Sequence, residues 1–394
     1  MLDSFSDLVV LELAHIYNGP YCGLLFAHLG AEVIKVEPPT GERLRTRAPG
    51  DQDPHEFVML NSNKKSVTFD LKSDEGREGF LKLVEQADVV IENYGPGTLE
   101  RLGISPETML ERNPRVIVAS GKGYGSTGPY ANMPAMDLTV QAMSGAISTS
   151  GFPDGPPVKA GPAFTDFSGA IHLFGAAAAA LYHREKTGEG QIVEVSMHDT
   201  IYPMLTSALS VLHNNPESTL PERTGNQHSG LNMAPYNVYE AADGWIAIIC
   251  ASDKHWLRLI DALGVGHYAD DPRFANPVIR AEHMELVDNI VTEATSKLTR
   301  EEISERMAAA GVPYAPVKTL REVDQDPHLI ERGMIRYIEH PENGRVPVVG
   351  NPLRMSAASG EQTDLKPAPK VGADQQEVLG RFLSMRPEES QSVR

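Results

Sequence analysis

The chain has 394 residues, a hydrophobic share of 41% and a formal net charge of −18. That length suits about two to three domains around ordinary globular cores. The negative charge argues against nonspecific binding to nucleic acid or anionic membranes, whose phosphates it repels, but leaves room for one local basic pocket. Cys22 and Cys250 are the only cysteines, too few for a disulfide framework or a Cys-rich zinc site. Residues 1–7 lack a basic segment followed by an apolar one, so no signal peptide is expected. The longest apolar stretch, 170–182, is too short to span a bilayer. The simplest setting for such a chain is the cytoplasm.

In chain order, residues 8–13 read as a buried strand. Gly19-Pro20 opens a helix, because proline suits a first turn. Residues 32–36 form the next strand and 67–70 another. A helix over 75–86 precedes a strand at 88–91. A further helix starts at 99–102, and 115–119 is the next strand. This alternation implies βαβ units and a mostly parallel sheet covered on both faces.

Asp166 precedes a long Ala-rich run that ends in His183-Arg184-Glu185-Lys186-Thr187-Gly188. Aspartate suits a helix N-cap, basic residues suit the last turn, and glycine suits the stop. Asp166 is therefore expected to cap a buried helix and to stay ionised in the field of its N-terminus. An ionised, oriented carboxylate is also a competent nucleophile. Residues 191–195 form a strand and 198–212 a helix. The polar stretch 214–222 reads as a linker. A second unit starts near Gly225, with a hairpin around Ala242-Asp243-Gly244 and helices near 255–263, 284–298 and 301–310. Residues 361–394 are polar apart from a short helix near 375–383, and the last ten or so are expected to be disordered.

Gly123, Gly125 and Gly128 have the spacing of a dinucleotide site, but Pro129-Tyr130-Ala131-Asn132-Met133-Pro134 follows, and no helix opens there to face a pyrophosphate. Glu92-Asn93-Tyr94-Gly95-Pro96-Gly97 is the better phosphate candidate: a strand ends, a turn follows, and a helix starts with Arg101 as a cationic fork. Lys64, Lys65, Lys72 and Lys122 lie near strand ends, where lysines suit an anionic ligand; each is also an ordinary surface residue on its own. The loop Thr224-Gly225-Asn226-Gln227-His228-Ser229-Gly230 can bring backbone amides close to a ligand. No histidine spacing suggests a metal.

These segments, taken together, resemble the class III CoA-transferases, the family of formyl-CoA transferase and crotonobetaine CoA-transferase. The likeness rests on Leu11-Glu12-Leu13-Ala14 with Gly19-Pro20, Leu29-Gly30-Ala31-Glu32-Val33-Ile34-Lys35-Val36-Glu37-Pro38, and Asn61-Ser62-Asn63-Lys64-Lys65-Ser66. It continues through Asp70-Leu71-Lys72, the 92–97 segment, Asn113-Pro114-Arg115-Val116-Ile117, residues 184–191 and Gly311-Val312-Pro313, to Arg332-Gly333-Met334. The order is collinear over nearly the whole chain.

The resemblance implies an α/β fold with a large Rossmann-like domain carrying a parallel sheet, a smaller α+β domain, and an interlocked homodimer. The large domain would take residues 1–213 and a return segment 326–394, with a linker at 214–224 and the small domain at 225–325. It implies that Asp166 is the nucleophile. His15, Leu71, Lys72, Asn93, Arg101 and Lys122 fall at CoA-contacting positions, Leu71 and Lys72 beside the adenine and 3′-phosphate. Asp137 falls where formyl-CoA transferase has an active-site glutamate. Gly225, His228 and Gly230 belong to the loop that covers the catalytic aspartate. CoA enters as substrate, with no permanently bound cofactor. Tyr17 stands where formyl-CoA transferase has a glutamine and Pro38 where it has an arginine, which argues against formate and oxalate as the acids. Tyr17, His15 and His228 are candidates to hydrogen-bond a second carboxylate, which suits a dicarboxylic acceptor.

The implied reaction moves CoA between carboxylic acids through an aspartyl thioester. An α-methylacyl-CoA racemase shares the fold, but it pairs a His-Asp dipeptide with a second aspartate. Here the dipeptide is Met136-Asp137, and methionine cannot take a proton. A non-catalytic acyl-CoA binding protein is a third reading, which the retained Asp166 opposes.

Overall fold

The computed structural model describes residues 3–47, 53–356 and 365–384; the expected disorder of the last ten residues lies outside them. The chain forms two compact units. The first takes Met1–Met143, Pro162–Tyr202 and Asp326–Arg394, and the second takes Ser144–Gly161 and Pro203–Gln325. This division differs from a break at 213–225. The single helix expected over 198–212 is interrupted, because Pro203 lacks an N–H and its ring crowds the preceding turn. A 3₁₀ turn, Tyr202–Leu205, stands there instead.

Six strands build the first unit's sheet: β1 (Val9–Glu12), β2 (Glu32–Glu37), β3 (Lys65–Thr68), β4 (Val89–Glu92), β5 (Ile117–Lys122) and β6 (Gln191–Ser196). Their spatial order is β3-β2-β1-β4-β5-β6, and every neighbouring pair is parallel. The order reverses between β1 and β4, so the loops leaving their carboxyl ends diverge and open a crevice. Its helices include α1 (Asn18–His28), α2 (His55–Asn61), α3 (Asp74–Val84), α4 (Thr98–Leu102), α5 (Pro106–Arg112), α6 (Asp137–Met143), α7 (Phe164–Thr187) and α8 (Met197–Ile201), with a C-terminal helix at Gln375–Ser384.

Alternate strand residues face opposite sides, as the two-residue period requires. Leu11, Ile34, Val36, Val90 and Val118 join Phe80, Leu83 and Met109 on one face. Val10, Val33, Val89, Ile91, Ile117 and Ala119 join Phe26, Leu173 and Ala177 on the other. Helix α7 is 24 residues long, and is long and apolar enough to cross a membrane, unlike the apolar stretch 170–182 taken alone. Its Ala170, Leu173, Ala177, Ala180 and Leu181 instead pack on the sheet. Near its end, the buried Arg184 pairs with Asp88 at 3.0 Å, and Gly188 stops it in a left-handed conformation (φ 81°).

The return segment completes this unit. Gln375 Oε1 accepts the Thr68 N–H (2.7 Å) and Asp374 Oδ2 the Ser66 N–H (2.8 Å), which covers the outer edge of β3. Val378 and Phe382 enter the adjacent core from the C-terminal helix. In the second unit, strands Tyr236–Ala241, Gly244–Ile249 and Tyr314–Pro316 form an antiparallel sheet, including the expected hairpin. Trp256, Leu259, Val287, Ile303 and Met307 lie in its core.

Beneath the first unit's crevice lies a buried ion cluster. Glu12, at the end of β1, is fully buried. It accepts a hydrogen bond from Lys35 Nζ (2.9 Å) and lies 2.7 Å from Lys64 Nζ. A Cβ on Gly23 would stand 2.0 Å from the Glu12 carboxylate, so only glycine fits at that position. Lys35 also donates to the Ala14 carbonyl (2.9 Å) and stands 3.7 Å from Glu42. Lys64 is thus a core cation, not a ligand lysine. Burial lowers its pKa to about 8, against the pull of Glu12. Lys65 pairs with Glu32 (2.9 Å) and Glu377. The cluster fixes the path of residues 13–17.

Replacing Glu12 by alanine leaves Lys35 and Lys64 facing each other without their shared anion. The expected loss is about 3–5 kcal/mol, the cost of breaking a buried pair from one side. Urea denaturation checks it, and a loss below about 1 kcal/mol, the level of an exposed pair, would contradict the cluster's role.

Candidate active site

A cavity of about 670 Å³ opens above the carboxyl ends of the strands. His15, Ile16 and Asn18 line it from the loop after β1 and the start of α1. Pro38 and Arg43 come from the segment after β2, Asn93, Tyr94 and Arg101 from beyond β4, and Lys122 and Gly123 from the end of β5. Asp166 reaches it from the first turn of α7. No helix opens directly after the 123–128 glycines, of which Gly123 and Gly125 line this cavity.

The residues after β1 and β4 are tied together. Asn93 Oδ1 accepts the His15 N–H (3.0 Å), and its Nδ2 donates to the His15 carbonyl (2.9 Å). Asn93 therefore holds backbone rather than offering a free amide. Burial lowers the His15 pKa to about 4, helped by Lys35 and Arg43, so its ring is neutral at pH 7. Ile16 adopts φ 68°, a costly conformation for a β-branched residue, held where Glu42 Oε2 accepts its N–H (3.2 Å).

Lys122 donates to the Tyr94 carbonyl (3.0 Å) and pairs with the buried Glu92 at 2.6 Å. Its charge is largely matched within the fold. Arg101 is exposed and donates to Thr98 Oγ1 (2.8 Å). Arg43, which sequence reasoning missed, lines the cavity with its guanidinium free of hydrogen bonds and ion pairs among the described residues. Leu71 is half-buried against the core and Lys72 is exposed; neither lines the cavity.

Asp166 is not the N-cap. Ala163 holds that position, and Asp166 is the third helical residue. The capping role falls to Asp137, which lies 28 residues before Thr165 and whose Oδ1 accepts the Thr165 N–H (3.1 Å) and Oγ1–H (2.7 Å). Asn18 donates to the Asp166 carbonyl (3.1 Å) from a buried position. Glycine is required on both sides of it. A Cβ on Gly121 would stand 2.2 Å from Asn18 Oδ1, and one on Gly169 2.5 Å from its Nδ2. Nothing local in the sequence marks Asn18; its role comes from the approach of α1, β5 and α7.

Burial pushes the Asp166 carboxyl up from 3.8 to about 7, Asp137 adds its repulsion, and Arg47 partly offsets both. The expectation of a carboxylate held ionised by the helix is thus corrected. Lost hydration and a neighbouring anion outweigh the helix field. Met136 is exposed and carries no base.

Tyr17 stacks on Phe167, with ring centroids 5.9 Å apart, and its hydroxyl donates to Glu56 Oε2 (3.0 Å). Gly225, His228 and Gly230 lie in the second unit. There Gly225 N–H donates to the Gly151 carbonyl (2.9 Å), and Gly230 N–H to His228 Nδ1 (3.1 Å). Asp288 anchors this loop by accepting from Gln227 Nε2 (2.7 Å) and Tyr239 Oη–H (2.6 Å). Among the described residues, no group of three or more His, Cys, Asp or Glu could hold a metal.

The family model described as CoA-transferase family III matches residues 5–375. The chain belongs to CoA-transferase family III. This CoA-transferase is 37% identical to acetyl-CoA:oxalate CoA-transferase of Acetobacter aceti over 89% of each chain. It is 35% identical to succinyl-CoA:mesaconate CoA-transferase of Haloarcula hispanica over 90% of its own length and 91% of the relative's. Among solved structures, a CaiB/BaiF family protein from Brucella suis superposes with a TM-score of 0.82 at 34% identity, covering 95% of this chain and 98% of that one.

The raised pKa of Asp166 gives the enzyme a pH signature in stability. The folded state holds the Asp166 proton up to about pH 7, whereas the unfolded chain releases it near 3.8. Stability therefore falls as pH rises through that window and stays reduced above it. Asp166→Asn removes the penalty. Its melting temperature should exceed that of the wild type at pH 8, and the gap should shrink as pH falls toward 4. Thermal melts at both pH values check this, and a gap that widens at low pH contradicts it.

Proposed function

We propose that this enzyme moves CoA from an acyl-CoA donor to a carboxylic acid acceptor through a thioester on Asp166. The observation that carries the reading is a poorly solvated carboxylate at the edge of a cavity above the sheet's switch point. Such a carboxylate is short of water to displace and is half ionised near neutral pH.

The chemistry then needs only carboxylates and a thiolate. The Asp166 oxygen attacks the donor thioester carbonyl, the C–S bond breaks, and a mixed anhydride and CoA thiolate result. The thiolate attacks the Asp166 carbonyl, the C–O bond breaks, and the donor acid leaves. The acceptor carboxylate attacks the aspartyl thioester, and the freed thiolate takes the acceptor acyl group and returns Asp166. Each covalent step splits a harder exchange. The tetrahedral oxyanions call for N–H donors, a role that the family resemblance gives to the 225–230 loop.

For CoA, Arg43 and Arg101 are the proposed phosphate partners, since exposed guanidiniums in a chain of charge −18 concentrate an anion locally. Leu71 and Lys72 are proposed for the adenine and 3′-phosphate on the resemblance alone. His15, Asn93 and Lys122 shape the wall between. We also propose a cytoplasmic, interlocked homodimer, consistent with two free, buried cysteines.

Asp166→Ala should abolish transfer from acetyl-CoA or succinyl-CoA while CoA still binds by calorimetry. Thioester products are read by mass spectrometry, and full transfer by Asp166→Ala would overturn the mechanism. Arg43→Ala should weaken CoA binding by about 10-fold or more, the worth of one charged hydrogen bond. An unchanged Kd would remove Arg43 from the site.

A further inference from the structure

The 3₁₀ turn Arg43–Arg47 carries three guanidiniums at alternate positions, and they point to three different tasks. Arg43 lines the cavity. Arg45 is buried and fully engaged: it binds Glu37 through two bonds (2.8 and 2.7 Å), Asp53 (2.9 Å) and the Pro369 carbonyl (2.9 Å), and stacks on Phe57. Arg47 is outside the cavity lining and 43% exposed, yet it is the cation whose field reaches Asp166.

A contiguous set of groups joins Arg47 to the nucleophile. Its guanidinium lies 5.7 Å from the centre of the Tyr17 ring, and that ring stacks on Phe167, the residue after Asp166. Its hydrogen bonds are long, 3.3 Å to the Tyr17 hydroxyl and 3.4 Å to Glu56 Oε2, and the Glu56 side chain is 52% exposed. Such loose, solvated contacts cost little to exchange. A carboxylate docking on the guanidinium fork would form shorter, bidentate bonds.

The other groups available for an anion on this side are poor ones. The His15 ring is neutral. The Tyr17 hydroxyl already donates to Glu56.

We infer that Arg47 binds the distal carboxylate of a short dicarboxylic acid whose other carboxylate reacts at Asp166, and so sets the enzyme's acid preference. Arg43 and Arg47 then divide one turn between the two halves of the substrate: Arg43 faces the CoA side, and Arg47 the acyl side. The inference rests on the transfer reading above, because it takes Asp166 as the point of acyl attachment.

The test is a competition with acetyl-CoA as donor, so that only the acceptor brings a second carboxylate. Equimolar succinate and butyrate, and in a second tube glutarate and valerate, compete for the full-length enzyme. The ratio of thioester products cancels any change in the donor half-reaction. The wild type should favour the dicarboxylate by about 10- to 100-fold, the range of one charged hydrogen-bonded pair. Arg47→Met should bring the ratio to one or below while butyryl-CoA still forms, and Arg47→Lys should keep an intermediate ratio. If Arg47→Met makes neither product, the Arg47→Lys ratio decides. A ratio unchanged by substitution, or no dicarboxylate preference in the wild type, overturns the inference. So does transfer to neither dicarboxylate when CoA is found on Asp166. No transfer and no CoA on Asp166 would instead overturn the transfer reading itself.

Discussion

The site is organised around an unfavourable placement: a carboxylate sits in the first turn of α7, short of water and beside a second carboxylate. Burial and Asp137 both oppose the Asp166 charge, and that opposition moves its pKa to about 7. The fold holds it there by three devices. Asp137 ties down the start of the helix through Thr165, Asn18 bonds the Asp166 carbonyl, and Gly121 and Gly169 leave room for Asn18. Strain of this kind at a reacting group is stabilised by the surrounding structure, not by the group's own contacts.

A second constraint lies one layer below. The Glu12–Lys35–Lys64 cluster anchors the end of β1, and Glu42 receives the backbone of Ile16 in its left-handed conformation. Asn93 fastens the His15 backbone from the β4 side. The two loops that diverge at the switch point are thus fixed from both flanks. Charged groups that the sequence offers as ligand contacts, Lys64 and Lys122 among them, partly serve this scaffold. The cations left for an anion lie on the turn after β2 and on α4.

Local pattern carried much of the fold. β1, β2 and β4 lie close to their expected limits, because buried parallel strands are runs of Val, Ile and Leu that no helix period explains. So does β6, a half-exposed edge strand that shows the two-residue alternation instead. β3 was displaced: 67–70 was expected, and Lys65–Thr68 is the strand. Its edge is completed by Asp374 and Gln375, about 300 residues away, and no local window contains that information. Asp166 was legible as a candidate from its setting, but not its capping partner, since Asp137 is brought to it by folding. Asn18, Arg43 and Arg47 carried no local signal for the same reason. Their roles depend on which side of Asp166 the chain delivers them to.

The most direct measurement is the mass of the peptide bearing Asp166 after the enzyme meets acetyl-CoA with no acceptor acid present. A covalent aspartyl thioester predicts that this peptide gains CoA less one water, and that adding an acceptor acid discharges it. A peptide of unchanged mass under conditions where transfer to an acceptor proceeds would contradict the account, because Asp166 would then not carry CoA between the acids.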